Sequence, residues 1–423
     1  MELNIASYCG KKLACSCGRT HFCGLGSVTV ENGALNKLPD ILKNYQHILL
    51  AADENTFAAC GKRAQEILGG QIADTLIYQC EGFLVPDEKA VAALEARLTP
   101  EIDLILGVGS GVINDICKYV SFQHNMKYAI VGTAPSMDGY ASSGAAMIMG
   151  GMKITYTTHA PEHIIADVDV LKNAPLDMIR AGYGDIIGKY SSLNDWKLAA
   201  LINGEHFCPE IYKLVYEVTE ETRRQVHNIV AREDEAIAFL TKALVLIGVT
   251  LTLLGSTRPG SGSEHHLSHF FEIVGLIHNQ PYFLHGTDVA YSTVVTAAMR
   301  ERICQMKAPV FTAVTREERL TAYERIYASF ADEVLSIQEE AHSYEKDRSA
   351  QYAALWPEIL HILSACPTAE EIKAMFVAAG YDMDTFERMY GAEKIRDAQF
   401  YGKDLKDRYS VLWLYYTLFG GEA

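Results

Sequence analysis

The chain has 423 residues, of which 49% are hydrophobic and 21% are charged. Because a single hydrophobic core stops growing at roughly 250–300 residues, this length predicts two domains. The formal net charge of −16 argues against a nucleic-acid partner, which would require a basic surface. It also means that an anionic substrate must be met by local positive charge.

The cysteines and the N-terminal segment bear on the cellular compartment. The ten cysteines are scattered outside one N-terminal cluster, and the start MELNIASYCGKK has no hydrophobic signal region. No stretch approaches the ~20 apolar residues that a membrane span needs. These features predict reduced thiols in a cytoplasmic protein that has no membrane partner.

The first part of the chain alternates apolar runs with helical stretches. The runs are HILLAAD (47–53), TLIYQC (75–80), DLILGVG (103–109) and KYAIVG (127–132), and the helices begin near Cys60 and Asp87. Unbroken apolar runs are typical of parallel strands covered on both faces, so the pattern predicts an open α/β sheet. Residues 154–171 are interpreted as an antiparallel or returning pair that completes this domain, predicted over residues 1–171.

Beyond Leu171 the strand pattern gives way to long amphipathic stretches. They cover residues 209–254, 288–306, 318–345 and 351–364, and they predict an all-α bundle over residues 172–423. Ligand sites commonly lie in the crevice between two such domains, so we expect the active site there. The apolar end YSVLWLYYTLFG (409–420) suits burial in the bundle or at a subunit contact.

Two loops rich in small residues indicate a nucleotide site. Gly107, Gly109 and Gly111 follow a strand and precede a helix, whose N-terminal amides attract phosphate. GTAPSMDGYASSGAAM (132–147) follows the next strand. Asp53 ends another strand, where its carboxylate can accept from a ribose hydroxyl. A tight turn without a ligand, and a solvated Asp53, are the alternatives.

The segment 261–290 concentrates five histidines in a protein that has 14. His265 and His269 lie four residues apart, on one face of a helix, and His285 precedes a predicted helix start. Asp185, after two nearby glycines at the predicted head of a helix, offers a carboxylate. Imidazole is a common metal ligand, so the pattern predicts a metal site. The alternative is a histidine cluster stabilised by neighbouring glutamates.

These stretches together resemble the iron-containing-type polyol dehydrogenases of the dehydroquinate-synthase-like fold, and within them the bacterial branch that acts on sn-glycerol 1-phosphate. The matching stretches are GVGSGVINDICK, GTAPSMDGYASSGAAM, GYGDIIGKYSSLNDW, RPGSGSEHHLSH and FLHG, spanning residues 107–286. The resemblance implies a Rossmann-like open-sheet domain followed by a helical bundle. The first loop departs from the plainer family pattern, and the doubled histidine leaves the choice between His265 and His266 open.

Carried over position by position, the resemblance implies a set of site residues. The metal ligands would be Asp185, His265 and His285, and Asp138, Asp185 and His269 would face the substrate as catalytic residues. The nicotinamide cofactor, NAD or NADP, would be held by residues of both loops: Gly111, Val112, Ile113, Asn114, Asp115, Thr133, Ala134, Pro135, Ser136 and Ser142, with Asp53 as the ribose partner.

The reaction implied by the resemblance is the reversible reduction of dihydroxyacetone phosphate, a step of phospholipid metabolism. Hydride would pass directly from the nicotinamide, and one divalent ion, nickel, zinc or iron, would act as a Lewis acid. Lys189 and Arg258 are the candidates for binding the substrate phosphate, with a surface role as the alternative for each. A homodimer is also expected.

Three other functions compete with this interpretation. A polyol dehydrogenase of the same fold would act on an unphosphorylated substrate. A lyase resembling dehydroquinate synthase would return the hydride within one turnover. A non-catalytic relative would only bind nucleotide.

The segment CSCGRTHFC (15–23) is a further candidate site. Three cysteines and His21 within nine residues could bind zinc, but their spacing is not that of a standard zinc finger. We therefore expect a β-hairpin with reduced thiols.

Overall fold

The computed structural model describes residues 3–79, 82 and 84–422. The chain divides into two compact units, Met1–Ile186 with Glu220–Thr257 and Ile187–Thr219 with Arg258–Ala423. The division predicted from sequence, at residue 171, differs from this one. The predicted boundary is placed where the strand pattern ends, and a strand pattern does not show which later helices pack against the sheet.

The first unit is built around a parallel sheet. Its strands within the described residues are β1 (Lys12–Ala14), β2 (Thr20–Phe22), β3 (Ser27–Glu31), β4 (Ile48–Asp53), β5 (Ile72–Tyr78), β6 (Leu104–Gly109), β7 (Tyr128–Gly132), β8 (Gly144–Met149), β9 (Met152–Thr157) and β10 (His163–Asp167). Six of them form the order β3-β10-β7-β6-β4-β5, and every pairing in it is parallel. The predicted parallel sheet is confirmed.

The central strands are buried from end to end, as the apolar runs predicted. Leu50, Leu106, Val131 and Ile165 are within 1% of complete burial and share one core with helical residues such as Leu35. Covering both faces of a sheet removes any need for polar alternation along its strands. The predicted run 75–80 is displaced, since β5 starts at Ile72, and its last residue lies outside the described residues.

Residues 154–171 do not form the antiparallel pair that the sequence suggested. β9 pairs with β8 as a separate antiparallel hairpin, whereas β10 joins the main sheet in parallel between β3 and β7. β8 is a glycine- and alanine-containing strand, and β3 precedes the first strong apolar run. Neither strand has the uninterrupted Ile/Val/Leu pattern on which the prediction depended.

Helices of the first unit cover the sheet. They are α1 (Leu38–Ile41), α2 (Glu54–Thr56), α3 (Lys62–Leu68), α4 (Glu88–Glu95), α5 (Gly111–Gln123), α6 (Val168–Leu171), α7 (Leu176–Ile187), α10 (Val226–Val230) and α11 (Asp234–Leu254). By length and composition α11 could cross a membrane, with a mean hydropathy of 2.2, but 78% of that window is buried inside the protein. This burial makes α11 a core helix of the first unit, and the expectation that no stretch approaches the apolar length of a membrane span is wrong.

The second unit is helical in its described part. Its helices are α8 (Lys189–Asn203), α9 (Pro209–Arg224), α12 (Ser263–Ile277), α13 (His285–Cys304), α14 (Arg316–Tyr327), α15 (Ala331–Glu340), α16 (Ser349–Ala354), α17 (Trp356–Leu363), α18 (Ala369–Ala378), α19 (Asp384–Tyr401) and α20 (Val411–Phe419). α12 lies at its centre, where Phe271 stacks on Tyr390 at 4.2 Å between ring centroids. The C-terminal apolar segment forms α20 and is buried in this unit.

Candidate active site

The two predicted cofactor loops lie side by side in the first unit. β6 and β7 are neighbours, Gly109 pairs with Gly132, and the amide of Thr133 donates to the Gly109 carbonyl at 3.1 Å. Beyond the strands the hydroxyls of Ser110 and Ser136 are 2.6 Å apart. Both loops thus leave the carboxyl edge of the sheet together, which is where open α/β sheets bind ligands.

Gly109 allows α5 to begin tightly against the sheet. A Cβ at this position would lie 2.5 Å from the Cβ of Ile113, so any larger residue would push the first turn of α5 away. Ser110 occupies the N-cap position without a side-chain capping bond. Backbone N–H groups at such a helix start attract phosphate. The start of α5 can therefore hold a pyrophosphate.

Lys118 organises the second loop, and sequence reasoning missed it. Its ammonium is fully buried and donates to the carbonyls of Gly139 and Gly144, at 2.8 and 2.9 Å, and to the hydroxyl of Ser142 at 3.3 Å. Burial lowers the pKa of Lys118, opposed by the charge of Asp115 at 3.5 Å. Lys118 ends the stretch GVGSGVINDICK, so the signal was inside a motif already recognised.

Two residues proposed for cofactor binding also have structural partners. The Ser142 hydroxyl donates toward the carbonyls of Gly139 and Gly144 at 3.0 and 3.1 Å. The Asp115 carboxylate accepts from the Ala146 amide at 3.1 Å, and burial raises its pKa against the opposing charge of Lys118. Both side chains therefore hold the loop in shape.

Asp138 and Asp185 come together in the first unit. The fully buried Asp185 carboxylate accepts from the backbone amide of Asp138 at 3.0 Å. Gly182, one turn earlier on α7, faces the Pro135 carbonyl so closely that a Cβ there would overlap it. Asp185 lies near the C-terminal end of α7, and not at the head of a helix as predicted, because α8 starts only at Lys189.

Asp53 ends β4 and caps α2. Its carboxylate accepts from the Thr56 amide at 2.8 Å, and the Thr56 hydroxyl accepts from the Asp53 amide at 3.0 Å. This reciprocal capping box accounts for an acidic residue at the strand end. The contact with a ribose remains a prediction.

Three of the predicted histidines form a cluster in the second unit. The ring centroids of His265, His269 and His285 are 5.1–6.1 Å apart. His265 and His269 lie one turn apart on α12, and His285 is the first residue of α13. The Glu264 carboxylate lies 2.7 Å from Nδ1 of His265 and so fixes the orientation of the ring. Nδ1 of His285 lies 3.4 Å from the Ser268 hydroxyl.

This donor set fits a divalent transition metal. An imidazole whose other nitrogen is held by a carboxylate is the usual arrangement of a metal-binding histidine. Within the second unit His265 and His285 each offer an imidazole nitrogen, and within the first unit Asp185 offers a carboxylate oxygen. Mixed imidazole and carboxylate donors suit zinc, iron and nickel.

The geometry of α12 favours His265 over His266 as the ligand. Both ring nitrogens of His266 are buried and have no hydrogen-bond partner among the described residues. Burial, reinforced by the charges of Lys406, Arg408 and Arg258, holds the pKa of His266 well below its ordinary value. His266 is therefore a neutral core residue, and it lies about 100° around the helix axis from His265.

Asp195 fixes the start of α12. One carboxylate oxygen accepts from the Ser263 amide at 2.6 Å, and the other accepts from the Val411 amide at 2.9 Å. The buried guanidinium of Arg300 lies 2.9 Å from the same carboxylate and donates to the Ser263 hydroxyl. Sequence reasoning missed both residues because they are distant from His265 along the chain.

The two candidates for binding the substrate phosphate are buried. Lys189 donates to the Gly260 carbonyl at 2.8 Å. The Arg258 guanidinium forms a bidentate ion pair with the Glu205 carboxylate and donates to the Tyr409 carbonyl at 2.6 Å. Neither side chain has the surface position considered as its alternative. Both already have a structural partner.

Comparison with known proteins identifies the family. Residues 29–175 match the family described as iron-containing alcohol dehydrogenase. Glycerol-1-phosphate dehydrogenase (NAD(P)+) of Halalkalibacterium halodurans is 34% identical over 304 residues, covering 70% of this chain and 76% of that protein. The chain belongs to the glycerol-1-phosphate dehydrogenase family. The Bacillus subtilis member is 33% identical over 289 residues, with 67% and 73% covered.

Solved structures support the same fold at lower identity. An alcohol dehydrogenase from an archaeal halo-thermophilic Red Sea brine pool source superposes with a TM-score of 0.59 at 14% identity, covering 95% of this chain and 93% of that one. Glycerol dehydrogenase from Schizosaccharomyces pombe gives 0.55 at 18%, covering 88% and 93%. The predicted dehydroquinate-synthase-like fold, an α/β unit with a helical unit, is thereby confirmed for this member of the glycerol-1-phosphate dehydrogenase family.

Proposed function

We propose that this chain is an NAD(P)-dependent, metal-dependent oxidoreductase that interconverts dihydroxyacetone phosphate and sn-glycerol 1-phosphate. The observation that carries this proposal is the histidine cluster of α12 and α13 in a chain of the glycerol-1-phosphate dehydrogenase family. Relatives that carry this name are described as using NAD(P)+.

We assign the metal ligands to Asp185, His265 and His285. Zinc, nickel or iron bound there would supply a Lewis acid that polarises the substrate carbonyl. The Glu264 carboxylate orients His265 through Nδ1, and the backbone amide of Asp138 orients Asp185. We also assign Asp185 and Asp138 to the substrate side of the site, together with His269, which holds or moves the hydroxyl proton.

We assign nicotinamide cofactor binding to the paired loops of the first unit. The start of α5 binds the pyrophosphate through the amides of Gly111, Val112 and Ile113. Asn114, Asp115 and Ser142 keep the two loops in register through their bonds within the loops. The neighbouring segment Thr133–Ser136 lines the cofactor from the β7 side. Asp53 favours NAD, since an acid repels the 2′-phosphate of NADP.

The substrate phosphate requires a cation, and Lys189 and Arg258 stay the candidates. Arg258 already pairs with Glu205, so its role in phosphate binding needs a direct test. If Arg258→Ala protein keeps its affinity for dihydroxyacetone phosphate, Arg258 is removed from the proposal. We further propose that the protein is cytoplasmic and forms a homodimer. Light scattering coupled to gel filtration would test the oligomeric state.

The central experiment measures oxidation of NADH and NADPH with purified protein after single metals are added back. We expect turnover with dihydroxyacetone phosphate and little with dihydroxyacetone. The reverse preference would favour a polyol dehydrogenase. Failure to accumulate oxidised cofactor would favour a lyase that returns the hydride.

Two histidine variants make that assay specific for the cluster. His285→Ala should abolish turnover and lower the bound metal. His278→Gln is the matched control, because His278 lies in the same segment but bonds the Ile326 carbonyl at 2.8 Å. Equal activity of the two variants would contradict the proposal.

A further inference from the structure

The N-terminal hairpin brings together side chains that the proposed reaction does not use. β1 and β2 pair antiparallel, with Leu13 opposite His21 and Ala14 opposite Thr20. The connection is closed by the amide of Cys15 donating to the Arg19 carbonyl at 3.1 Å. This turn carries Cys15 and Cys17 toward the strand that holds His21. The sequence expectation of a hairpin is confirmed.

Cys15, Cys17 and His21 form a compact set of metal-binding atoms. Their ligand atoms all lie within 4.8 Å of one another. The Cys17 sulfur lies 3.3 Å from Nε2 of His21. In a tetrahedral zinc site a sulfur and a nitrogen ligand are about 3.5 Å apart, as follows from the Zn–S and Zn–N bond lengths. The hairpin therefore already has the spacing of two zinc ligands.

A backbone contact orients His21 for this role. Nδ1 of His21 lies 2.8 Å from the Leu253 carbonyl at the end of α11. A carbonyl can only accept, so Nδ1 carries the proton and Nε2 keeps its lone pair. The imidazole is 5% exposed, so its orientation is fixed by packing as well as by this bond. A carbonyl partner on the second nitrogen is typical of metal-binding histidines.

The turn lies in a positively charged stretch of the sequence. Lys11, Lys12 and Arg19 flank the cysteines, and no acidic residue occurs from Leu3 to Val30. Positive charge near a cysteine stabilises its thiolate, which is the form that binds metal. Cys23, in contrast, is fully buried, and burial raises its pKa to about 11, so it stays a thiol.

The hairpin also lacks enough core to be stable by itself. Its strands have three residues each, and within them only His21 is fully packed. Isolated two-stranded hairpins are marginally stable in water. A bound ion that joins the turn to the second strand would supply the missing constraint.

We propose that Cys15, Cys17 and His21 form a structural zinc site in the N-terminal hairpin, separate from the catalytic metal. Binding exchanges two thiol protons, released to solvent, for one Zn²⁺, so the two thiolates balance the charge of the ion. The fourth position of a tetrahedral ion falls to a donor outside these three residues.

The first test measures zinc per chain by mass spectrometry in protein purified without added metal. The Cys15→Ala/Cys17→Ala double variant should contain one zinc fewer per chain than the wild type. Cys9→Ala is the matched control, because its thiol belongs to the same segment but contacts the Ile5 carbonyl instead. It should lose none. Equal zinc content in wild type and double variant would overturn the proposal.

A second test starts from the wild-type protein, so it does not depend on correct folding of the double cysteine variant. Cobalt titrated into the metal-depleted wild type should produce a sulfur-to-metal charge-transfer band in the near ultraviolet. The proposed catalytic ligands contain no sulfur, so the band should persist in His285→Ala protein, and it should be missing from the Cys15→Ala/Cys17→Ala variant if the hairpin is its source. Absence of the band would refute the zinc site, whereas loss of activity with the band intact would count only against the proposed reaction.

Discussion

Replacing Glu264 by Gln tests how strongly His265 depends on its carboxylate partner. Oε1 of Glu264 takes both contacts, with Nδ1 of His265 at 2.7 Å and the amide of Gly262 at 2.8 Å. Oε2 is buried without a hydrogen bond among the described residues. A glutamine can therefore keep both contacts through its oxygen while removing the negative charge.

The expected loss follows from this geometry. Without the carboxylate charge the imidazole of His265 donates electrons to a metal less strongly. A carboxylate that orients a metal-binding histidine contributes 10- to 100-fold to metal affinity, so the loss should be about 1.4–2.8 kcal/mol. Competition with a chromophoric chelator would measure it. The amide nitrogen placed at Oε2 would also destabilise the fold by roughly 1–3 kcal/mol, so unfolding must be followed separately.

The matched control is Glu358→Gln, which removes an exposed carboxylate at the start of α17. It should change neither metal affinity nor stability. If Glu264→Gln protein bound metal as tightly as the wild type, the proposed role of His265 as a ligand oriented by Glu264 would be wrong.

Three further changes test the scaffold. Gly182→Ala should lower the thermal midpoint and weaken NADH binding in a fluorescence titration, because the added methyl overlaps the Pro135 carbonyl. Asp195→Ala should cost about 3–5 kcal/mol in thermal unfolding, more than Arg300→Met, because it leaves a buried guanidinium without its counter-charge and two amides without their acceptor. Burial and nearby lysines lower the pKa of His159. As the pH falls, the imidazole of His159 therefore becomes protonated at a higher pH in the unfolded chain than in the folded one. Denaturant titrations should show the free energy of unfolding falling below about pH 6.5, and falling less in His159→Gln protein.

Each scaffold prediction has a result that would contradict it. Gly70→Ala is the control for the glycine change, since a Cβ there meets nothing within 4 Å; similar losses in both variants would discount the overlap. An Asp195→Ala protein as stable as the wild type would remove the capping role. An unchanged pH profile in His159→Gln protein would assign the acid sensitivity to other groups.

The central sheet could be predicted from the sequence because strands buried on both faces have unbroken apolar runs, which are visible in the sequence itself. It failed where pairing is decided by distant partners. β10 is an apolar strand like its neighbours, but nothing within HIIAD indicates that it enters between β3 and β7. The division into units also depends on distant contacts, since α11 is mostly apolar and its sequence does not indicate which elements pack against it.

The histidines of the site could be predicted from their local spacing in the sequence. The residues that hold their helix in place, such as Asp195, could not. His265 and His269 are four residues apart, which places them on one face of any helix. Asp195, in contrast, is separated from Ser263 by 68 positions and from Val411 by 216. Only the fold brings such residues together, so a sequence pattern identifies ligands more readily than the groups that hold them.

The segment SEHHLSH, about two turns of α12, combines several structural roles. Successive side chains of a helix point in different directions. Glu264 therefore anchors the imidazole of His265, while His266 enters the core as a neutral ring. Ser268 reaches the start of α13 and contacts His285. Because one residue added or lost here would rotate the later side chains by about 100°, the spacing itself is a functional constraint. In the doubled histidine, His266 is consequently a core residue, whereas His265 belongs to the histidine cluster.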